Sequence, residues 1–349
     1  MLILGIETSC DETAAAVVRD GTRVLSNVIA TQHDLHERYA GVVPEIASRA
    51  HLERIQPVVR EAMRDAGARL TELDAVAVGH RPGLIGSLLV GVSAAKALAW
   101  SIGKPVIGVD HVLAHLHAGL LDSPPVQFPA LGLVVSGGHT SLFLVNHPLD
   151  VTPLGKTIDD AVGEAYDKAA NILQLGYPGG PLVDRLAQTG DDSAHDFPVT
   201  LLDKTSLDFS FSGLKTALLY EVCGLPVGRG ERARLNRDAS HLSMQEKADL
   251  AASFQRAAVD ALMRKLTRAM EQNTHCKTLL IGGGVSANSR LRQELTEFAG
   301  THHLDLRMPA LKYCLDNAAM IAGAAAARLE AGQFDDWSLA AFPRSEVCT

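Results

Sequence analysis

The chain has 349 residues, of which 47% are hydrophobic and 21% are charged, and its formal net charge at pH 7 is −8. This length and composition predict two domains with sizeable cores, and they exclude a disordered or fibrous protein. The acidic balance also argues against a protein that coats nucleic acid with its whole surface, although a local basic patch stays possible.

The first half of the chain predicts a meander of three strands followed by alternating helices and strands. Apolar runs bounded by turn residues predict strands at 2–7, 14–19, 23–30, 75–80 and 105–110. Helical spacing predicts a helix at about 45–67, an alanine-rich helix that ends at Gly103, and a helix from His111 to Gly119. The last of these opens directly after a strand, where ligand groups collect in α/β folds.

The second half repeats this order, which predicts a duplicated architecture. Two strands flank a glycine turn in ALGLVVSGGHTSLFLV, and further strands are expected in KTLLIGG and HLDLRMP. Helices are expected at 157–175, about 245–272, from about 288, and at about 316–331. Residues 222–244 are rich in Gly, Arg and Ser and predict a flexible connection.

The cysteines and the lengths of the apolar segments predict in which cellular compartment the protein is found. The five cysteines are odd in number, far apart and without a CxxC pair, as expected for reduced thiols in a cytoplasmic protein. The N-terminus has no basic region and meets Glu7 after a short apolar run, so we expect a buried strand and not a signal peptide. The longer apolar stretches are interrupted, and no membrane span is expected.

A pair of histidines is the first candidate site. His111 and His115 are four residues apart, so on a helix both rings leave the same face and can share a metal ion. The alternative is a pair of ordinary helix-surface histidines. A third ligand is required, and Asp316, His117 and His139 are all candidates. A zinc peptidase usually carries Glu directly after the first His, but Val112 occupies that position.

Two glycine turns predict phosphate contacts. VVSGGHT at 134–140 and LLIGGGVSANSRL at 279–291 both place glycines where a buried strand ends. Together they would hold a nucleotide from two sides, but glycine turns between strands are common. In DFSFSGLKTA, Ser210 and Ser212 predict either a simple helix N-cap or an anion site beside the helix N-terminus.

Three carboxylates are expected on one face of the helix at 157–175. These are Asp160, Glu164 and Asp167, and the simplest interpretation is a surface ion pair between Glu164 and Lys168. Asp167 could instead accept a hydrogen bond from a ribose hydroxyl. Ser9 and Cys10 lie in a turn with acidic neighbours, but no nucleophile or dedicated base is identifiable.

Ten motifs in order resemble one family. They are GIETSCDETA at 5–14, GVVPEIASRAH at 41–51, PGLIGSLLVG at 82–91, HVLAHLHAG, VSGGHT, IDDAVGEAYDKAA, GYPGGP, DFSFSGLKTA, GGGVSAN and CLDNAAMIA. They span nearly the whole chain and are similar to the TsaD family, the tRNA N6-adenosine threonylcarbamoyltransferases formerly described as O-sialoglycoprotein endopeptidases. So many independent motifs make coincidence remote.

The resemblance implies a fold class, namely two related α/β domains of the actin, sugar kinase and Hsp70 (ASKHA) type around a nucleotide cleft. The N-terminal domain would comprise 1–125 plus about 316–349 and carry the metal ligands. The second domain, 126–315, would carry most nucleotide contacts. His80 and Arg81 depart from the small residues common in the family, and the 222–244 stretch is longer than in many relatives.

The resemblance also implies the site residues. The metal ligands would be His111, His115 and Asp316, holding one divalent ion, Fe²⁺ by resemblance or alternatively Zn²⁺. The expected substrate contacts are Val134, Val135, Ser136, Gly137, Gly138, Asp167, Gly180, Asp184 and Asn288. No residue is assigned as nucleophile or base.

The implied reaction moves a threonylcarbamoyl group from threonylcarbamoyl-adenylate to N6 of adenosine 37 in tRNAs that read codons beginning with A, and it releases AMP. A TsaB-like paralogue and a TsaE-like ATPase are the expected partners, with no membrane involved. The alternatives are a metal-dependent glycoprotein endopeptidase and a small-molecule kinase of the same fold.

Overall fold

Two five-stranded sheets, each covered by helices, form the centre of the protein. The computed structural model describes residues 1–36, 39, 41–199, 203, 205–227, 235 and 237–345. Both sheets combine antiparallel and parallel strand pairs, and the largest apolar clusters lie on their faces. The predicted α/β class is confirmed.

The first sheet is built from the N-terminal part of the chain in the order β3-β2-β1-β4-β5. Its strands are β1 (Leu2–Glu7), β2 (Glu12–Arg19), β3 (Arg23–Thr31), β4 (Ala75–Arg81) and β5 (Val106–Asp110). β1 pairs antiparallel with β2 and parallel with β4, which is also parallel to β5. β1, β4 and β5 are buried almost throughout, as uninterrupted apolar runs between two helical layers require.

The second sheet repeats this topology in the order β8-β7-β6-β9-β10. Its strands are β6 (Ala130–Val135), β7 (Thr140–His147), β8 (Asp150–Lys156), β9 (Thr278–Gly282) and β10 (Asp305–Arg307). The three-strand meander and the two parallel additions match the first sheet, which confirms the predicted duplication. β8 escaped prediction because it is a largely exposed edge strand containing Pro153 and lacks an apolar pattern.

The helices fill the connections and cover both sheets. They are α1 (His33–His36), α2 (Pro44–Asp65), α3 (Ile85–Ser101), α4 (His111–Ala118), α5 (Val162–Ile172), α6 (Gly179–Ala187), α7 (Ser212–Cys223), α8 (Met244–Gln272), α9 (Ser289–His302) and α10 (Ala318–Glu330). Most agree with the sequence expectations to within a few residues. In the described part of the chain, none is long and apolar enough to cross a membrane.

α10 comes last among these helices but packs on the first sheet, against β1, β2, β4 and β5. Gly5 in β1 permits this approach, because a Cβ atom there would lie 2.2 Å from the carbonyl oxygen of Ala318. The contact returns the chain to the N-terminal sheet after the second sheet is complete. The residue limits proposed for the two domains stay a prediction.

Residues 335–345, here called the C-terminal strap, run along the outer edge of the first sheet. Asp335 makes an antiparallel bridge to Val106, and its backbone N–H donates to the Val106 carbonyl at 2.9 Å. Phe342 N–H donates to the carbonyl of His80 at 2.9 Å, and the side chain of Leu339 is buried in the core. The strap therefore adds contacts to an edge that β5 would otherwise expose.

Two sequence expectations need correction or restriction. α5 begins at Val162 and not at 157, since Asp159 and Asp160 use their side chains to bind neighbouring segments and leave the helical path. Of the predicted connection at 222–244, residues 228–234 and 236 lie outside the described residues. Its described ends include the last residues of α7 and the start of α8.

Candidate metal centre and nucleotide cleft

Two histidines and one aspartate form a compact cluster. One ligand atom from each of His111, His115 and Asp316 lies within 4.8 Å of the others. Asp316 Oδ1 is 3.5 Å from His111 Nε2 and 3.3 Å from His115 Nε2. The structure thus brings together the three residues that the family resemblance selects from distant parts of the sequence.

The two histidines are positioned by the abrupt start of α4. The helix follows β5 without a loop, and its N-cap is Asp110, whose Oδ1 accepts hydrogen bonds from the N–H groups of Val112 and Leu113 at 3.0 and 3.3 Å. One turn of helix then separates the two imidazoles, and their ring centroids are 4.6 Å apart. Both rings are almost completely buried, which excludes the helix-surface alternative.

Asp316 lies directly before Asn317, which is the N-cap of α10. The Asn317 side chain accepts from the N–H of Met320 at 3.0 Å, and Asn317 is itself buried. Because this neighbour satisfies the helix terminus, the carboxylate of Asp316 is directed toward the two histidines. Asn317 therefore has the structural role at this helix terminus, and Asp316 has the candidate ligand role.

A buried carboxylate that the sequence analysis missed completes the surroundings of His111. Glu7 at the end of β1 is fully buried, and its Oε2 lies 3.0 Å from His111 Nδ1. Since a carboxylate only accepts, Nδ1 carries the proton and Nε2 is left facing Asp316. The other oxygen of Glu7 accepts from Ser9 N–H at 2.5 Å. The sequence signal that could have identified Glu7 is its position as a charged residue at the end of an apolar strand.

The cluster fits a divalent metal ion. His115 is fully buried, and its ring nitrogens have no partner in good hydrogen-bond geometry among the described residues, although Nε2 lies 3.3 Å from Asp316 Oδ1. Such an orphaned imidazole is costly unless a ligand satisfies it. Two imidazoles and one carboxylate, with His111 oriented by a second carboxylate, form a donor set suited to Fe²⁺ or Zn²⁺.

The charges within the cluster reinforce each other. Burial alone would lower the pKa of His111, but the carboxylates of Asp316 and Glu7 raise this pKa well above its usual value. Burial would likewise raise the pKa of Asp316, but His111 and His115 hold it well below the usual range. Without a metal ion, the cluster therefore pairs a negative Asp316 carboxylate with a protonated His111, and a bound cation would take the place of that proton.

The two rival third ligands are placed elsewhere. His117 Nε2 donates to the carbonyl of Gly21 at 2.7 Å on the other side of α4. His139 lines the cleft near the cluster but is not part of it. Burial, followed by the charges of His111 and His115, lowers the pKa of His139 to about 4. Geometry among the described residues therefore favours Asp316.

A cavity of about 1240 Å³ lies in front of the cluster. Its walls come from the β1–β2 turn, the start of α3, the glycine turn after β6, and α5. The predicted site residues among its lining are His111, Asp316, Ser136, Gly137, Gly138 and Asp167. Elements following both sheets therefore meet in one cleft that is large enough for a nucleotide.

The first glycine turn faces this cleft. Val134 and Val135 are fully buried within β6, while a Cβ atom on Gly137 or Gly138 would meet no protein atom within 4 Å. The turn is held by Ser136, whose N–H donates to the carbonyl of His139 at 2.8 Å. Its glycines thus present bare backbone to the cavity.

The second glycine turn has mainly a packing role. A Cβ atom on Gly282 would lie 2.0 Å from the carbonyl oxygen of His115, so only glycine lets β9 approach α4 this closely. Gly284, two residues further on, lines the cavity. The sequence analysis predicted phosphate contacts for the whole run, but the structure separates a packing glycine from a cavity glycine.

The remaining predicted substrate contacts form a connected group beside the cleft. Asp167 Oδ1 accepts from Gly179 N–H at 2.8 Å at the start of α6, which also contains Gly180 and Asp184. Asp184 accepts from the Ser289 hydroxyl at 2.7 Å. Asn288 caps α9 by accepting from Leu291 N–H at 2.9 Å. Gly180, Asp184 and Asn288 do not line the large cavity, and their substrate contacts stay a prediction.

The expected surface ion pair on α5 is present. Lys168 Nζ lies 2.7 Å from Glu164 Oε1, and the same ammonium lies 2.8 Å from Asp160 Oδ1. Lys215 also binds Asp160, at 2.9 Å. Asp160 therefore links α5 to α7 and does not share the helix face that was predicted for it.

The anion site expected at the start of α7 is filled by the chain itself. Asp159 accepts from the hydroxyls of Ser210 and Ser212 at 2.5 and 2.8 Å. It also accepts from the backbone N–H of Phe211 at 2.9 Å. The donors that could bind an external anion are thus satisfied by this carboxylate.

A second cluster of titratable side chains lies in the cavity wall, and the sequence analysis did not assign it. The side chains of Asp11, Glu12 and His33 lie close together, and Glu12 Oε1 is 3.3 Å from His33 Nε2. Burial raises the pKa of Glu12 to about 8, although the hydrogen bond from His33 acts in the opposite direction. This pair could exchange a proton with a bound molecule.

His80 and Arg81 do not line the large cavity. His80 Nδ1 donates to the carbonyl of Ala340 in the C-terminal strap at 2.9 Å, and Arg81 Nε lies 3.9 Å from Asp110 Oδ2. Pro82, Gly83 and Leu84, which follow them, do line the cavity. His80 therefore contacts the strap, Arg81 lies near Asp110, and neither residue faces the cleft.

Comparisons with solved structures agree with the ASKHA-type fold. Component A of (R)-2-hydroxyglutaryl-CoA dehydratase from Acidaminococcus fermentans gives a TM-score of 0.51 at 14% identity, over 95% of this chain and 99% of that chain. HypF from T. kodakarensis gives 0.59 at 15% identity, over 95% of this chain but 48% of HypF. The duplicated sheet topology, with one cleft bordered by elements of both halves, therefore has the ASKHA-type fold.

Sequence comparisons narrow this class to one family. The sequence model described as "TsaD: tRNA N6-adenosine threonylcarbamoyltransferase" matches residues 23–323. A protein of that name from Trichlorobacter lovleyi is 51% identical over 351 residues, covering 99% of this chain and 98% of the relative. Another, from Syntrophobacter fumaroxidans, is 50% identical over 329 residues and 93% of each chain. The chain belongs to the TsaD family of tRNA N6-adenosine threonylcarbamoyltransferases.

Proposed function

We propose that this protein transfers a threonylcarbamoyl group from threonylcarbamoyl-adenylate to N6 of adenosine 37 in tRNAs that read codons beginning with A. A bond forms between N6 and the carbamoyl carbon, the bond from that carbon to the phosphate oxygen breaks, and AMP leaves. The N6 amine releases one proton. Membership of the TsaD family supports the reaction class.

One observation carries the assignment of the site. The His111, His115 and Asp316 cluster and the open turn at Gly137 and Gly138 belong to elements that follow different sheets, yet they border the same cavity. A phosphate placed between them would meet backbone on one side and the cluster on the other. This is the arrangement that an acyl-adenylate requires, because its reactive carbon is bonded to that phosphate.

His111, His115 and Asp316 would hold one divalent ion, Fe²⁺ or Zn²⁺, and such an ion would supply positive charge to neutralise a phosphate. Glu7 fixes the His111 ring by accepting from Nδ1. The protein needs no nucleophile, since positioning and charge neutralisation supply the rate.

The nucleotide part of the donor would lie along α5 and the glycine turn. Backbone from Ser136 to Gly138, after the buried Val134 and Val135, would approach the phosphate. Asp167 would accept a hydrogen bond from a ribose hydroxyl. Burial raises the pKa of its carboxyl, although the hydrogen bonds from the Gly179 and Gly180 N–H groups act in the opposite direction. Gly180, Asp184 and Asn288 would support the adenosine from the adjoining side.

The proton lost from N6 needs an acceptor in the cavity. Glu12 and His33 both line it, and the pKa of Glu12 is raised to about 8, near the pH at which a general base works efficiently. We assign this pair to the proton transfer. No side chain is required to form a covalent bond with the substrate.

The partners follow from the same family. The proposed acceptor is tRNA, and a TsaB-like paralogue and a TsaE-like ATPase are the proposed protein partners. Since the net charge of the chain is −8, a partner surface or a local basic region must contribute to tRNA binding.

A direct assay tests the proposal. The protein and its partners are incubated with threonylcarbamoyl-adenylate and unmodified tRNA, and the nucleosides are analysed for threonylcarbamoyladenosine. We expect product with the wild type and almost none with Asp316→Ala. Absence of product with the wild type, or equal product with the variant, contradicts the proposal. Metal-dependent protein hydrolysis or ATP-dependent phosphorylation of a small molecule would favour the endopeptidase or kinase alternative.

A further inference from the structure

The C-terminal strap ends at the helix that carries the two candidate metal-binding histidines. Ser345 Oγ donates to Asp110 Oδ2 at 2.6 Å, and both residues are buried. Asp110 is the N-cap of α4 and directly precedes His111. One carboxylate therefore joins the last described residue of the chain to the first turn of this helix.

The two oxygens of Asp110 have separate partners. Oδ1 accepts from the N–H groups of Val112 and Leu113, which sets where α4 begins. Oδ2 accepts from Ser345, with Arg81 Nε farther away at 3.9 Å. A carboxylate fixed at both oxygens cannot rotate freely, so the Ser345 hydroxyl helps to hold the capping oxygen in place.

The strap is itself anchored along the sheet, so it can transmit this constraint. Gly108 N–H donates to Asp335 Oδ2 at 2.7 Å at one end of the strap. Lys96 Nζ donates to the Leu339 carbonyl at 3.1 Å in the middle, and the Leu339 side chain is buried. Pro343, two residues before Ser345, lines the large cavity. The strap thus reaches from the edge of the sheet to the cleft.

We infer that the C-terminal strap, through the contact of Ser345 with Asp110, positions α4 so that His111 and His115 meet Asp316. Ser345 is neither one of the three candidate ligands nor part of the cavity lining, so we treat it as a positioning residue that acts on the ligands through Asp110. The inference rests on the proposed function for the identity of the bound metal. The position of the helix can, however, be measured without any metal.

Three variants test it. Ser345→Ala removes the hydroxyl, Ser345→Thr retains one, and Ser338→Ala removes the hydroxyl of another strap serine, which binds Asp336 at an exposed position. Amide hydrogen exchange of Val112 and Leu113 is measured in metal-free protein. We expect exchange about tenfold faster in Ser345→Ala, since a hydrogen bond to a charged group is lost, and exchange close to wild type in the other two.

Binding of Fe²⁺ and of Zn²⁺ is then measured by competition with a chelator. We expect affinity about tenfold weaker in Ser345→Ala, at the lower end of the range for partners outside the ligand set, with recovery in Ser345→Thr. Unchanged exchange in Ser345→Ala overturns the inference. Faster exchange with unchanged metal affinity overturns the link to the ligands. If the wild type binds neither metal, the proposed metal centre fails, while the exchange data still decide whether the strap holds α4.

Discussion

Glu7 Oε2 lies 3.0 Å from His111 Nδ1, so a carboxylate at the end of β1 orients the first residue of α4. The same carboxylate accepts from Ser9 N–H and is fully buried. An imidazole held in this way presents one defined nitrogen to a ligand. Glu7 is therefore part of the metal centre that we propose, although it is not expected to touch the ion.

The first prediction concerns this carboxylate. Glu7→Gln should lower metal affinity by about 10- to 100-fold, because a neutral amide orients and polarises the His111 ring less effectively. Chelator competition with the purified protein measures the change. Glu164→Gln is a matched control, since Glu164 also lines the cavity but binds Lys168. Equal affinity in Glu7→Gln and wild type would contradict the orienting role.

Neighbouring residues at the start of α10 should respond in opposite ways. Asp316→Asn should weaken metal binding by about a hundredfold or more, since each ligand contributes on the order of 3 kcal/mol at a structural site, while folding is retained. Asn317→Ala should lower the free energy of unfolding by about 2–3 kcal/mol, through loss of the cap and of the side-chain hydrogen bonds to the carbonyls of Tyr313 and Leu315, and keep the three ligands. Denaturant titration and metal titration of both variants separate the two effects. A loss of metal binding only in Asn317→Ala would refute the assignment.

The close approach of β9 to α4 gives a prediction on stability. In Gly282→Ala, the new Cβ would lie 2.0 Å from the carbonyl oxygen of His115, so the backbone must move at a cost of about 1–3 kcal/mol. Metal affinity should fall as well, because the displaced helix carries His115. Gly300→Ala is the control, since a Cβ there meets nothing within 4 Å. Similar unfolding midpoints for the two variants would show that the close approach of β9 to α4 does not require glycine at position 282.

Glu12 predicts a pH dependence of stability. Its pKa is raised from 4.5 to about 8 in the folded protein, so the folded state binds the proton more tightly than the unfolded state does. The resulting stability is fully present below pH 4.5 and is lost as the pH rises to about 8. The raised pKa of His33 acts in the same direction.

Glu12→Gln should remove most of this loss. Between pH 5 and pH 8, the Tm of the wild type should fall by about 2 °C or more relative to the variant. Thermal unfolding across this pH range measures the difference. The rate of threonylcarbamoyl transfer should also fall in Glu12→Gln if the pair accepts the proton from N6. Parallel Tm curves for the two proteins would argue against the raised pKa.

Much of the fold could be predicted because it depends on local patterns. Uninterrupted apolar runs identified β1, β4 and β5, and helical spacing identified α2 and α8 close to their observed limits. β8 could not be found in this way, since an exposed edge strand has little apolar pattern. The predicted helix began five residues before α5, because Asp159 and Asp160 make side-chain contacts with residues that are distant in the sequence.

The candidate site was predictable only in part. The spacing of His111 and His115 is a local property and was sufficient to suggest a shared ligand. Asp316 is close to them only through the packing of α10 on the first sheet, and the sequence linked it to them solely by family resemblance. The roles of Glu7 and Asp159 depend on tertiary contacts that no local spacing reveals.

The order in which the chain is synthesised has a consequence for the cluster. His111 and His115 leave the ribosome about two hundred residues before Asp316, and Ser345 emerges later still. A nascent chain that contains only the first sheet holds two imidazoles and Glu7 but lacks the third ligand and the strap contact. On the proposed metal assignment, the complete ligand set therefore forms only after Asp316 has been synthesised, and a nascent chain that stops before Asp316 would bind the ion less tightly.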